Sequence, residues 1–125
     1  MVRDVSPEEL MEIIGNSRVV LVDCWAAWCG PCRALTPILQ ELEKEYSDNP
    51  DVTIVKLNVD EHREFAMEHQ ITAIPCVLVY RDGKPARIKL YNPVTEKYME
   101  TDRIVGLREI DDYEEVIEQL IEQPQ

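Results

Sequence analysis

Positive charge is scarce in this chain. Thirteen Lys and Arg stand against 25 Asp and Glu, a formal net charge of −12 over 125 residues. A nucleic-acid partner needs a basic face to meet phosphate, and an anionic bilayer surface needs the same. The balance argues against both, and the acidity reads as solubility through self-repulsion. Long apolar runs are also missing: the longest, residues 18–26, is broken by Asp23 and is far too short to cross a bilayer. The first residues, Met1-Val2-Arg3-Asp4-Val5-Ser6-Pro7-Glu8-Glu9, carry acids where a secretion signal needs an apolar core. A cytoplasmic location is therefore expected. In that compartment the four cysteines point to catalysis or metal binding rather than to a structural disulfide framework. A structural zinc site needs four ligands, and the chain has neither a second Cys-x-x-Cys nor a nearby His pair to complete one. No metal and no other cofactor is called for.

What the chain does have is Trp28-Cys29-Gly30-Pro31-Cys32, placed between the apolar run and a segment of helical periodicity that begins near Arg33. That context is strand, sharp turn, helix. Cysteines three apart at a helix start face the same side of its first turn, so their sulfurs can meet as a disulfide. The first position lies where unpaired N–H groups and the positive end of the helix dipole favour a thiolate. The thiolate is the attacking species in disulfide exchange, which selects Cys29 as nucleophile and Cys32 as its resolving partner. Pro31 fits because its missing N–H would have lacked an intrahelical partner, and Gly30 leaves room for another chain to approach.

The rest of the chain arranges itself around that stretch. Ser6-Pro7-Glu8-Glu9 is a helix start with a capping box, Leu10, Ile13 and Ile14 follow at helical spacing, and Gly15-Asn16 ends the helix. Residues 18–26 read as a strand buried on both faces. Leu35, Ile38, Leu39, Leu42 and Tyr46 stripe a long helix, which Pro37 should kink. Residues 51–60 alternate as a strand, 61–69 read as a short helix, and 71–80 as a strand opened by Pro75. Arg81-Asp82-Gly83-Lys84 is a hairpin turn. Between Gly83 and Gly106, residues 87–91 and 97–101 pair as an extended hairpin around a turn at Asn92-Pro93-Val94-Thr95. A last helix carries Tyr113, Val116, Ile117, Leu120 and Ile121 on one face. Val2 to Val5 offers little apolar pattern to support an amino-terminal strand. The order implies one α/β domain over residues 1–125, its mixed central sheet parallel in its first part, antiparallel at its end and flanked by helices.

The stretch Asp23-Cys24-Trp25-Ala26-Ala27-Trp28-Cys29-Gly30-Pro31-Cys32 resembles the active-site signature of the thioredoxin family, and the resemblance continues through Pro37, the strand at 51–60 and Ile74-Pro75. It implies the thioredoxin fold, a cis bond before Pro75, and a monomeric protein-disulfide reductase that works without a cofactor. Its partners would be a thioredoxin reductase and client proteins with disulfides. It also implies roles. Asp23 would take the proton of Cys32, Lys56 would tune Asp23, and Trp28, Gly30, Pro31, Ile74, Pro75 and Gly106 would dock an extended client segment. The family's hairpin is much shorter than the stretch between Gly83 and Gly106, and the longer one, without cysteine or histidine, is expected to influence which partner docks.

Ordinary readings compete at several positions. A carboxyl in an apolar strand is costly and its pKa rises, so Asp23 is either a proton-transfer group or a core acid satisfied by Lys56. Trp28 and Ile74 could be simple exposed side chains. Cys24 alternates to the face opposite Asp23 and packs as a small hydrophobe. Cys76 directly follows Pro75, where the family usually carries a small polar residue. It is either a third redox-relevant thiol beside Cys29 and Cys32 or a space-filling one. An adaptor or metal-handling module on the same fold is the competing functional class.

Overall fold

A computed structural model describes residues 1–123. Eight strands and four helices follow in the order β1 (Arg3–Asp4), α1 (Pro7–Asn16), β2 (Val19–Trp25), α2 (Gly30–Glu45), β3 (Val52–Asn58), α3 (Arg63–Glu68), β4 (Cys76–Arg81), β5 (Lys84–Pro85), β6 (Ile88–Asn92), β7 (Lys97–Thr101), β8 (Arg103–Val105) and α4 (Ile110–Glu122). The main sheet runs β1-β3-β2-β4-β5, with β8 also on β4. β1 and β2 lie parallel to β3, and β4 runs antiparallel to β2. The expected mixed sheet flanked by helices is the one observed.

β2 is central because it is apolar on both sides. Val19 and Leu21 join the layer of α2 and α4, which supply Leu35, Leu39, Leu42, Tyr113, Val116, Ile117 and Leu120. Val20, Val22 and Cys24 join the opposite layer, with Leu10 and Ile14 of α1 and Phe65 of α3. Alternation along one strand thus builds two cores. α1 starts as expected: the Ser6 hydroxyl accepts from the Glu9 N–H and the Glu9 carboxylate accepts from the Ser6 N–H. Among the described residues no helix is long and apolar enough to cross a membrane.

Two details differ from the sequence expectation. α1 runs through Gly15 and Asn16 to a cap at Ser17 in extended geometry. The stop is set where Ser17 hands over to β2, and Gly15 is not in the left-handed conformation that glycine caps use. Residues Arg3 and Asp4 do form a strand, opposite Val55 and Lys56, with Val2 and Val5 buried on its two sides. Two valines pointing to different cores leave no visible periodicity. The expected hairpin between Gly83 and Gly106 is present as β6 and β7, Ile88 opposite Thr101 through Asn92 opposite Lys97, and the chain reaches it by way of the sheet edge. The positive φ of Asp82 and Gly83 turns the chain into β5, and then the edge strand is interrupted. Ala86 N–H donates to the Val79 carbonyl (2.8 Å), and Val79 N–H donates to the Asp102 carbonyl (3.0 Å). β8 resumes at Arg103 opposite Leu78. The residues between leave as a separate two-stranded unit, β6–β7. Ile88 is buried in the α4 layer, and Gln119 closes the outer edge of β6 by bonding both the N–H and the carbonyl of Lys89.

Candidate functional site

The turn after β2 delivers Cys29 to the N-cap of α2, in extended backbone, with Gly30 and Pro31 opening the helix. Pro31 removes a donor that the first turn would leave unpaired in any case. Cys29 and Cys32 form a disulfide across this turn, their Cα atoms 5.2 Å apart. The Cys32 N–H points at Cys29 Sγ (3.2 Å), and the Ile74 carbonyl oxygen lies 3.8 Å from the same sulfur. A helix N-terminus with a free N–H aimed at sulfur favours negative charge there. Both cysteines are nearly covered, Cys29 4% exposed and Cys32 2%.

The surround of Cys29 comes from three separate parts of the chain. Trp28 is 69% exposed, and its indole N–H donates to Asp60 Oδ2 at 2.9 Å. The Ile74–Pro75 bond is cis. Gly106 donates its N–H to the Pro75 carbonyl (2.8 Å) from a φ of 89°, a conformation glycine adopts freely. Val105 and Leu107 beside it are about half exposed. Trp28, Gly30, Pro31, Ile74, Pro75 and Gly106 thus lie on the segments that meet around the redox pair.

Asp23 stands on β2, 3% exposed, with Oδ1 lacking any hydrogen-bond partner. Burial drives its pKa up to about 7; Lys56, opposite it on β3, opposes that rise and Asp4 adds to it. Lys56 does not form an ion pair with Asp23 among the described residues; its Nζ rests over the Trp25 ring, 4.7 Å from the centroid. Of the two readings of Cys76, its buried position fits the space-filling one. It sits directly opposite Cys24 in the β2–β4 register and shares the α1/α3 core with it, on the sheet face away from α2. Its sulfur therefore does not join the Cys29–Cys32 pair. Alternation decides this: Cys76 pairs with Cys24, so it faces as Cys24 does. Sequence reasoning missed Asp60, which anchors Trp28, and Asp4, whose Oδ1 accepts from the Trp25 indole at 3.2 Å. Neither contact had a signal, since each partner is far away in the chain. Among the described residues no cluster of three or more His, Cys, Asp or Glu is arranged to hold a metal ion.

Comparison with known proteins agrees with this geometry. The family model described as Thioredoxin matches residues 1–104. The chain belongs to the thioredoxin family. A thioredoxin of Chlamydia caviae is 37% identical over 119 residues, spanning 95% of this chain and 98% of its own. A thioredoxin of Staphylococcus aureus is 35% identical over 103 residues, 82% of this chain and 83% of its own. Among solved structures, the oxidised thioredoxin of Plasmodium falciparum superposes with a TM-score of 0.70 at 28% identity, over 95% of this chain and 97% of that one. A mutant thioredoxin from Halobacterium salinarum gives 0.74 at 25% identity, over 99% and 93%. As a thioredoxin-family protein, the chain is a protein-disulfide oxidoreductase acting by dithiol–disulfide exchange through Cys29 and Cys32. The family implies disulfide-bearing clients and a reductase.

Proposed function

We propose that the chain reduces client disulfides in two steps, with Cys29 as nucleophile and Cys32 as resolving thiol. The Cys29 thiolate attacks one client sulfur; a Cys29–client bond forms, the client S–S bond breaks, and the second client sulfur leaves as a thiol after taking a proton. Cys32, its proton accepted by Asp23, then attacks Cys29 Sγ. The Cys29–Cys32 bond forms, the Cys29–client bond breaks, and the remaining client sulfur leaves as a thiol after taking a proton. Two electrons pass to the client, and a thioredoxin reductase returns the pair to the dithiol. The observation that carries this reading is the bridge across the first turn of α2, with Cys29 Sγ at the N-cap.

Asp23 suits the role of acceptor because a general base works best with a pKa near the operating pH, and its own is raised to about 7. Lys56 tunes it. Trp28, Gly30, Pro31, Ile74, Pro75 and Gly106 form the docking surface, on which an extended client segment adds main-chain hydrogen bonds to Ile74. The protein acts as one domain, as a monomer, in the cytoplasm.

The test is insulin reduction driven by dithiothreitol. Cys29→Ser abolishes the acceleration, and Cys32→Ser accumulates mixed disulfides with clients. Turnover by Cys29→Ser at the rate of the unaltered protein would overturn the mechanism.

A further inference from the structure

Asp4 lies in β1, outside the redox pair and its groove, and the mechanism above gives it no part. Its place in the sheet does. β1 and β2 flank β3, and their registers bring Asp4 and Asp23 to the two sides of one residue, Lys56. Residues opposite one another in paired strands project from the same face, so two acids compete for one ammonium. Lys56 forms an ion pair with neither among the described residues. Its Nζ lies 4.7 Å from the centroid of the Trp25 ring, a cation–π seat. Trp25 stands two residues after Asp23, on the same face, and its indole Nε1–H donates to Asp4 Oδ1 at 3.2 Å. Asp4 fixes the ring, the ring takes the ammonium, and Asp23 Oδ1 is left buried without a partner.

We propose that Asp4 is a positioning residue for the exchange reaction: it holds Trp25 as the seat of Lys56 Nζ and so keeps that ammonium off Asp23. The inference rests on the assignment of Asp23 as proton acceptor. An ammonium released from the ring would be free to pair with Asp23, which favours the carboxylate, and an acceptor that is already a stable carboxylate takes a proton less readily. The charge of Asp4 acts on Asp23 in the same direction as the seat. The other groups on this face are few. α4 presents the Tyr113 phenol, whose pKa burial and Asp23 both raise, and the buried side chains of α2 are Cys32, Leu35, Leu39 and Leu42.

Asp4 is exposed, so its replacement leaves both cores intact. The experiment follows the Asp23 carboxyl by carbon NMR through a pH titration of the oxidised protein. It compares the unaltered chain, Asp4→Ala, Asp4→Asn, and Lys56→Met with and without Asp4→Ala. Asp4→Ala lowers the Asp23 midpoint by about one pH unit, the smaller end of what a newly formed opposite-charge pair produces. Asp4→Asn lowers it less, because its amide oxygen still accepts from the indole. In the Lys56→Met background Asp4→Ala loses most of its effect. An unchanged midpoint in Asp4→Ala, an equal shift in Asp4→Asn, or an equal shift with and without Lys56 overturns the proposal. The pH profile of mixed-disulfide release in the same variants tests the acceptor assignment separately. A midpoint that moves while the release profile stays fixed rejects Asp23 as acceptor and leaves the positioning of Lys56 standing.

Discussion

The chain carries two pairs of neighbouring cysteines, and their fates differ. Cys29 and Cys32 are joined across a helix N-terminus. Cys24 and Cys76 face each other across β2 and β4 and remain free. The second pair is buried as deeply as the first, so exposure does not separate them. What separates them is what surrounds each sulfur. Cys29 meets a helix N-terminus and an aimed N–H. Cys24 and Cys76 sit among the apolar side chains of a core, and burial pushes both thiols up, although the Arg103 guanidinium opposes the rise at each. A thiol held protonated is a small hydrophobe, while a thiol at a helix start is a reagent.

The largest expected effect tests that contrast directly. In the reduced protein near neutral pH, iodoacetamide should modify Cys29 first. Cys24 and Cys76 should react far more slowly, since burial holds both thiols protonated and out of reach of the reagent. Mass-spectrometric mapping of the modified peptides checks this. Cys76→Thr should leave the Cys29 alkylation rate and the reduction potential where they are; a shift of about 30 mV would mean that the two pairs communicate.

A second difference concerns pH. The α2/α4 side of the sheet buries a carboxyl with a pKa near 7, Asp23, whereas the other side buries thiols that stay neutral. In the unfolded chain an aspartate titrates near about 3.9. Below that value both states carry the proton and Asp23 contributes no difference. Between about pH 4 and 7 the folded state keeps a proton that the unfolded state has lost, so stability falls as pH rises. Above pH 7 the native state carries a buried charge at a steady cost of up to about 4 kcal/mol, about three units at 1.36 kcal/mol each. Asp23→Asn should therefore gain most of that in urea unfolding at pH 8 and nothing at pH 4. A gain that is the same at both values would show that folding does not raise the Asp23 pKa.

The redox pair was legible from the sequence because its chemistry is local: turn, cap and nucleophile lie within five consecutive residues. The central strand was legible because a short, nearly continuous apolar run can bury both of its faces only inside a covered sheet. What was not legible depends on pairing. β1 is two residues long and exists because β3 offers it an edge. β5 and β8 are two and three residues whose conformation is set by β4. Cys76 looked close to the active pair by its position after Pro75, and only the register with Cys24 shows which face its sulfur takes. The Trp28–Asp60 and Trp25–Asp4 contacts join segments that no periodicity connects.

The smallest effect on catalysis should come from the β6–β7 unit, which carries no cysteine of either pair. Val79 makes its two main-chain bonds to opposite sides of the break, one with Ala86 and one with Asp102. Deleting residues 87–102 joins Ala86 to Arg103 and lets Ala86 supply both bonds. The edge strand then runs unbroken, with Pro85 opposite Tyr80 and Arg103 opposite Leu78 as before. The deletion removes the buried Ile88 and uncovers part of α4, which should cost about 2–4 kcal/mol at the usual value of one or two large apolar side chains. Insulin reduction and the alkylation pattern of both cysteine pairs should stay unchanged, because β4, Pro75 and Gly106 keep their places. Rates with the native reductase or native clients should change, since the outer face of the unit exposes Tyr91 and Tyr98, stacked edge to face at 5.4 Å, beside a backbone that Arg108 ties to the segment after Gly106. Equal rates with every physiological partner would reduce the unit to a cover for α4, and lost insulin reduction in a folded deletion variant would place it in the chemistry.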